Sequence, residues 1–318
     1  MNQVFFRFKN QLITAFFCSL IAVGTSIVAT SPSNLQAPIF KTPTFCPIEN
    51  PYNIVIVVPA YNEEHRISKT LEAYFDYFKV CKNISATFLV VCNNCSDKTA
   101  EICQNMQKNH SELHIMDLKP GGKGFAIKQG FLKALDFKNA DYIGFVDADM
   151  ATAPPYFYEL ITNIQGHDGA IASRYKKGAR VWPNRPFIKK IGGKFYNWVL
   201  RHKFHLDILD TQCGAKLFTY DTIQKAAQHM EEIGWAWDLE FLYICQLFDK
   251  DIVEVPTTWI DAPGSHLTIS GCYKEFISAP NRIKKQQQKL VNELRKQKVE
   301  AHKKAKSKKQ LRNSYTFF

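Results

Sequence analysis

Ile54-Val55-Ile56-Val57-Val58, running into Pro59-Ala60-Tyr61-Asn62-Glu63-Glu64, is the stretch on which the fold class of this chain turns. A strand with one wet face alternates apolar and polar residues, so an unbroken β-branched run predicts a strand buried on both faces. Ser68 to Phe78 follows with apolar residues at helical spacing, and the pattern then repeats. Phe88 to Val91 reads as a second buried strand, Asp97 to Gln107 as a helix, His114 to Met116 as a short strand, Gly124 to Leu135 as a helix and Tyr142 to Val146 as a fourth strand. Strands alternating with helices in this way predict an α/β domain whose mostly parallel sheet is covered by helices on both faces.

In such sheets ligands sit beyond the carboxyl ends of the strands, which singles out Pro59 to Glu64, Cys92 to Asp97 and Asp147 to Asp149. Asp147-Ala148-Asp149 carries the strongest chemical signal. Side chains two apart at the end of an extended strand share a side, so both carboxylates can face one hard cation, or else form a solvated acidic turn. Tyr61 offers a ring to a base or ribose, although Asn62 with Glu63 and Glu64 also suits a helix N-terminus. Gly121-Gly122-Lys123-Gly124 opens a helix with backbone N–H groups and a cation, without P-loop spacing.

Apolar residues make up 46% of the chain, enough to bury a core and to exclude wholesale disorder. The net charge of +12 is not spread over that core, because from Arg282 onward thirteen Lys/Arg face only Glu293 and Glu300. The basic balance therefore describes a tail and not a nucleic-acid-binding domain. Nine scattered cysteines are too sparse for a disulfide scaffold, and the lone C-x-x-C, Cys92 to Cys95, has no second pair at zinc-ribbon spacing. Gln11 to Thr30 is uncharged and mostly apolar, a membrane anchor or, with Ala29-Thr30-Ser31 as a small-residue cleavage region, a signal peptide. The expected organisation is a hydrophobic segment over 1–30, a proline-rich linker over 31–50, a catalytic domain over 51–275 and a basic helical or disordered tail over 276–318. Pro186 to Leu206 carries Ile188, Ile191, Phe195, Trp198 and Val199 on one helical stripe with lysines elsewhere, the pattern of a helix in a membrane interface or of an ordinary core-facing helix. Trp235, Trp237 and Phe241 are expected in the core.

Taken in order, Val57 to Glu64, Gly122-Lys123-Gly124, Val146 to Asp149, Ala172 to Tyr175, Asp210-Thr211-Gln212-Cys213-Gly214-Ala215-Lys216, Trp237 to Glu240 and Glu254 to Ser265 resemble the motifs of family 2 glycosyltransferases. The likeness covers roughly residues 52–270. It is greatest to the dolichyl- and polyprenyl-phosphate glucosyl- and mannosyltransferases, and the Asp-Thr-Gln-Cys-Gly run leans to the glucosyl side. The resemblance implies a GT-A fold and inverting transfer of a hexose from UDP-glucose or GDP-mannose to a polyprenyl phosphate. It further implies donor contacts from Pro59, Tyr61 and Glu63, and a divalent cation, Mg or Mn, on Asp147 and Asp149; Asn93, Lys123, Asp147 and Ala148 are expected to line the same donor site, and His266 either contacts the diphosphate or is a solvated loop histidine. Arg174 and Arg185 would face the acceptor phosphate, Asp149 is a further catalytic candidate, and Asp238 or Glu240 is either a catalytic-face carboxylate or a helix N-terminal acid. One departure stands out: Asn93-Asn94-Cys95-Ser96 replaces the usual Asp-Asp-Gly-Ser, which keeps an acceptor for a base N–H but loses its charge.

A glycan hydroxyl as acceptor, and a non-catalytic protein whose tail grips lipid or RNA, are the alternatives. A processive synthase is disfavoured by the single candidate span and the absence of a Gln-x-x-Arg-Trp motif. The membrane is an expected partner and nucleic acid is not. Donor availability places the catalytic domain in the cytoplasm, against the positive-inside rule applied to Arg7 and Lys9.

Overall fold

The computed structural model describes residues 48, 50–183, 187–260 and 269–315. The expected span at 11–30, most of the linker, and the site candidates Arg185 and His266 lie outside the described residues. Among those described, no helix is long and apolar enough to cross a membrane.

Nine strands, β1 (Tyr52–Ala60), β2 (Ile84–Asn93), β3 (Leu113–Leu118), β4 (Tyr142–Val146), β5 (Gly169–Ser173), β6 (Arg180–Trp182), β7 (Ala215–Thr219), β8 (Ile252–Pro256) and β9 (Thr258–Ile260), alternate with helices among the described residues. The helices are α1 (Ile67–Val80), α2 (Thr99–Gln107), α3 (Lys123–Ala134), α4 (Pro154–Asn163), α5 (Phe187–Phe204), α6 (Tyr220–Ala226), α7 (Trp237–Leu247), α8 (Ile269–Gln286) and α9 (Gln288–Tyr315). Seven strands form one sheet in the order β3-β2-β1-β4-β7-β5-β8, in which only β7 runs antiparallel to its neighbours. A parallel pair, β6 and β9, lies beside it.

The β-branched run does what its composition predicts. Ile54, Ile56 and Val58 enter a core shared with α1, α2 and α4, while Val55 and Val57 enter the opposite core with α3, α5, α6 and α7. Pro59 has no N–H to give, and it stands where β1 still pairs with Val91 of β2 but has run past its last partner on β4. Asn62 closes the strand in a left-handed conformation at φ 54°, which asparagine tolerates.

α8 crosses residue 275, where the sequence reading set the end of the catalytic domain, and Ala279, Ile283, Gln287 and Leu290 are buried against the second core. Their spacing of four, four and three is a helical stripe hidden among lysines. On α5 the core-facing stripe is Tyr196, Leu200 and Phe204, whereas Trp198 of the predicted stripe is 50% exposed with Phe195 stacked on it.

Candidate active site

The loops after β1 and β2 are tied to each other before any ligand is considered. Asn62 Oδ1 accepts from the Ser96 N–H at 2.8 Å, Asp97 Oδ2 from the Glu64 N–H at 3.1 Å, and Glu64 Oε2 from the Lys98 N–H at 3.0 Å. Tyr61 stands out from this platform, half exposed. Glu63 turns instead to Arg66, whose Nε and Nη2 lie 2.7 and 2.6 Å from its Oε2, so it helps to start α1. Asn93, at the end of β2, is buried; its Nδ2 donates to the Gly122 carbonyl at 2.7 Å and its Oδ1 has no partner. A buried carbonyl oxygen without a donor is costly, and it marks a place where an incoming N–H is favoured.

The acid pair follows β4 on a braced turn. Thr70 of α1 donates to the Ala148 carbonyl, Tyr74 to the Thr152 carbonyl, and the Ile260 N–H of β9 to the Ala151 carbonyl. Asp149 Oδ1 accepts from the Ala151 N–H at 3.0 Å, and burial together with the charge of Asp147 pushes its pKa above the usual carboxylate value. Asp147 Oδ1 meets Lys123 Nζ at 2.5 Å. Burial works against the Lys123 charge, but Asp147, Asp238 and Asp149 outweigh it and raise its pKa. Behind them Lys216, fully buried in β7, reaches Asp238 Oδ1 at 2.5 Å, its ammonium 5.2 and 5.4 Å from the ring centroids of Phe145 and Trp237. Burial nevertheless drives Asp238 above its ordinary pKa, with Lys216 and Lys123 pulling the other way. Three acids against two lysines leave the cluster one negative charge in excess. Two adjacent carboxylates suit a hard divalent cation whose other ligands are phosphate oxygens and water, and no cluster of three metal-holding side chains occurs among the described residues.

Arg174 belongs to a second cluster. Its Nε and Nη2 each lie 2.8 Å from an oxygen of Asp210, and its ring neighbour is Trp259, with the guanidinium 5.1 Å from the ring centroid. Asp210 is in turn fixed through its backbone N–H by Glu254 of β8. The fork expected to face a phosphate is thus largely engaged within the protein. Asp147, Asp149, Lys123 and Asp238 come together; Pro59, Ala148 and Glu63 shape the backbone around them.

Sequence reasoning gave no individual role to Gly214 or Lys216. The Asp147 N–H donates to the Gly214 carbonyl at 3.0 Å, and a Cβ on Gly214 would collide with the Asp147 carboxylate. A lysine inside the otherwise apolar Ala215–Thr219 was the available signal, since a fully buried lysine needs a partner. Trp237 and Phe241 are in the core as expected, but Trp235 is partly exposed, its ring 5.3 Å from Lys123 Nζ. A Cβ on Gly124 would meet the backbone of Glu232 and Gly234, so α3 begins in close contact with the loop that carries Trp235. Cys92 is a buried free thiol and Cys95 a partly buried one; the Cys92 thiol is pushed up to about 12, chiefly by its hydrogen bond with Cys103, and Cys95 is raised also, the opposite of the shift a redox nucleophile needs.

Residues 55–226 match the family described as "Glycosyl transferase family 2". A dolichyl-phosphate beta-glucosyltransferase of Trichomonas vaginalis (ALG5C) is 32% identical over 79% of this chain and 75% of its own. The enzymes of that name from Drosophila melanogaster and Homo sapiens are each 28% identical, over 72% and 67% of this chain and 74% and 68% of their own. Among solved structures, the glucosyl-3-phosphoglycerate synthase of Mycobacterium tuberculosis in complex with uridine diphosphate matches with a TM-score of 0.51 at 16% identity, covering 74% of this chain and 80% of that one. The same enzyme with Mn2+, uridine diphosphate and its product matches at 0.50 with 14% identity, over 73% of this chain and 78% of that one.

Proposed function

Since the chain belongs to glycosyl transferase family 2, we propose that it transfers glucose, with inversion, from a nucleoside diphosphate to a dolichyl or other polyprenyl phosphate. The observation that carries this reading is the cluster of Asp147, Asp149 and Lys123 at the carboxyl ends of the parallel strands, in a chain akin to enzymes named for that transfer. An oxygen of the lipid phosphate attacks the anomeric carbon while the diphosphate leaves from the opposite face. The acceptor already carries negative charge, so no general base is needed. Asp147 and Asp149 would hold Mg or Mn, which when bound neutralises charge developing on the leaving diphosphate. Lys123 adds a fixed positive charge beside it. The unpartnered Asn93 Oδ1 supports a uracil base, whose imide N–H it would accept, and Tyr61 is placed to cover the ribose or base. A glycan hydroxyl would need a base, and Asp238, the candidate, is already paired with Lys216.

The exposed Trp198 with Phe195 on α5 supports contact with a membrane interface, where the acceptor resides, and the 11–30 segment is proposed as the anchor of a cytoplasmic catalytic domain. The test supplies labelled UDP-glucose or GDP-mannose together with a polyprenyl phosphate or a free-hydroxyl glycan. Label is expected in the lipid from UDP-glucose only, and only with Mg or Mn present. Asp149→Asn should lower that rate by on the order of 10²–10³. Label entering the glycan alone, with loss in Asp238→Asn, would overturn the reading.

A further inference from the structure

The basic charge of the C-terminal region has a definite geometry. α9 runs without a break from Gln288 to Tyr315, and its root is fixed to the body. The Gln287 side chain donates to Glu240 Oε1 at 2.8 Å and to the His229 carbonyl at 2.9 Å, and Leu290 is buried. Arg282, one turn earlier, holds Glu232 at 2.8 Å, on the loop that carries Trp235 over the active site. Lys298 Nζ still reaches Asp249, between α7 and β8, at 2.7 Å, so α9 first runs along α7; past that pair the described side chains are exposed, and residues 299–315 extend about 26 Å at the ordinary helical rise.

That projection holds itself together poorly in water. Lys303, Lys306, Lys309 and Arg312 follow one another at i,i+3, and Lys304, Lys308 and Arg312 at i,i+4, spacings at which like charges repel. No apolar face compensates them among the described residues past Leu294. At about 100° per residue, Arg295, Lys296, Lys303, Lys306, Lys309 and Arg312 fall within an arc of about 200° that contains no acid, while Glu293 and Glu300 share the opposite side. Basic residues nearly all round, without a hydrophobic stripe, suit contact with a charged plane and not insertion into it.

We propose that α9 is an electrostatic docking helix for an anionic lipid surface, its root fixed to α7 through Gln287 and Glu240 and its charged length extending past the Lys298–Asp249 pair. The choice of lipid over RNA, which offers the same phosphate chemistry, rests on the lipid-phosphate acceptor proposed above. Phospholipid charge within a Debye length supplies counter-charge to a helix whose basic residues far outnumber Glu293 and Glu300, and salt screens it.

Hydrogen exchange of the amides of 295–315 tests this with the full chain reconstituted into phosphatidylcholine vesicles, with or without phosphatidylserine. Exchange should slow by on the order of tenfold with phosphatidylserine, recover at about 0.5 M salt, and show no slowing in the variant Lys303→Gln, Lys304→Gln, Lys306→Gln, Lys308→Gln, Lys309→Gln. Glutamine keeps helix propensity, so that variant removes charge and not the helix. Equal exchange on the two vesicles, phosphatidylserine protection that persists in the variant, or protection by an RNA oligonucleotide where phosphatidylserine gives none would each overturn the proposal. The readout involves no turnover, so glucosyl transfer to polyprenyl phosphate that survives unchanged would leave the catalytic reading standing while this one falls.

Discussion

Lys216 stands in the middle of β7, opposite Phe145 on one side and Ile171 on the other, where its ammonium meets no water. Asp238 makes that position tolerable, so Asp238→Asn should destabilise the fold by roughly 3–5 kcal/mol, the cost of stranding a buried charge. A thermal melt unchanged from wild type would show that the pair carries no such burden. Replacing both partners by apolar residues should recover much of the loss, as buried pairs often permit. Asp210 gives the pH dependence. Burial opposes its ionisation, but Arg174 prevails and holds its carboxyl below the usual range. A folded pKa below the unfolded one contributes stability that is fully present above about pH 4 and is lost as pH falls through the folded value. Urea midpoints measured between neutral and strongly acid pH should therefore fall less steeply in the double variant Arg174→Gln, Asp210→Asn than in wild type, and parallel curves would exclude the pair. The acid pair was legible because two residues at the end of one strand share a side. The Arg174–Asp210 and Lys216–Asp238 pairs were not, because 36 and 22 residues separate partners that only the fold brings together.

The elements β1 to β4 announced themselves through runs of apolar residues, and their helices through spacing. β5, β7 and β8 did not: Gly169–Ser173 is built from small residues, β7 carries a lysine, and β8 carries Glu254. Each departure has a local cause, since Glu254 positions the Leu209 and Asp210 backbone and Lys216 holds Asp238. The same logic hid α8, whose buried stripe is diluted by lysines and interrupted by Pro280. Ending the chain after residue 275 would remove Ala279, Ile283, Gln287 and Leu290 from the second core, whereas ending it after Leu294 would remove no buried side chain among the described residues and only the exposed Lys298–Asp249 pair. The shorter chain is expected to lose cooperative unfolding, and the longer one to melt like the full protein; equal melts would place α8 outside the domain. At the other end of the site, Gly214→Ala should leave the fold largely intact but push Asp147 aside. Manganese affinity measured by calorimetry should then fall with little change in melting, and unchanged affinity would take Gly214 out of the cation site.

At the scale of the molecule, charge is divided between a nearly neutral catalytic body and a tail that holds +11 of the net +12. The division was visible in the sequence; what was not visible is that the tail begins as part of the core and braces the loop over Lys123 through Arg282 and Glu232. Two consequences of that junction can be separated kinetically. A docking helix raises the local concentration of enzyme at the acceptor without altering the bound transition state, so its loss should appear as a higher apparent KM for a membrane-borne long-chain polyprenyl phosphate and an unchanged kcat. A short-chain acceptor dispersed in water should be used equally well with or without the tail charges. If the tail instead worked through its brace on the active-site loop, the lysine-to-glutamine variant would lose kcat on both acceptors alike. Steady-state rates with the two acceptors, at low salt and at about 0.5 M, distinguish these outcomes. Docking predicts that salt reproduces the variant's defect in wild type, on the membrane acceptor alone.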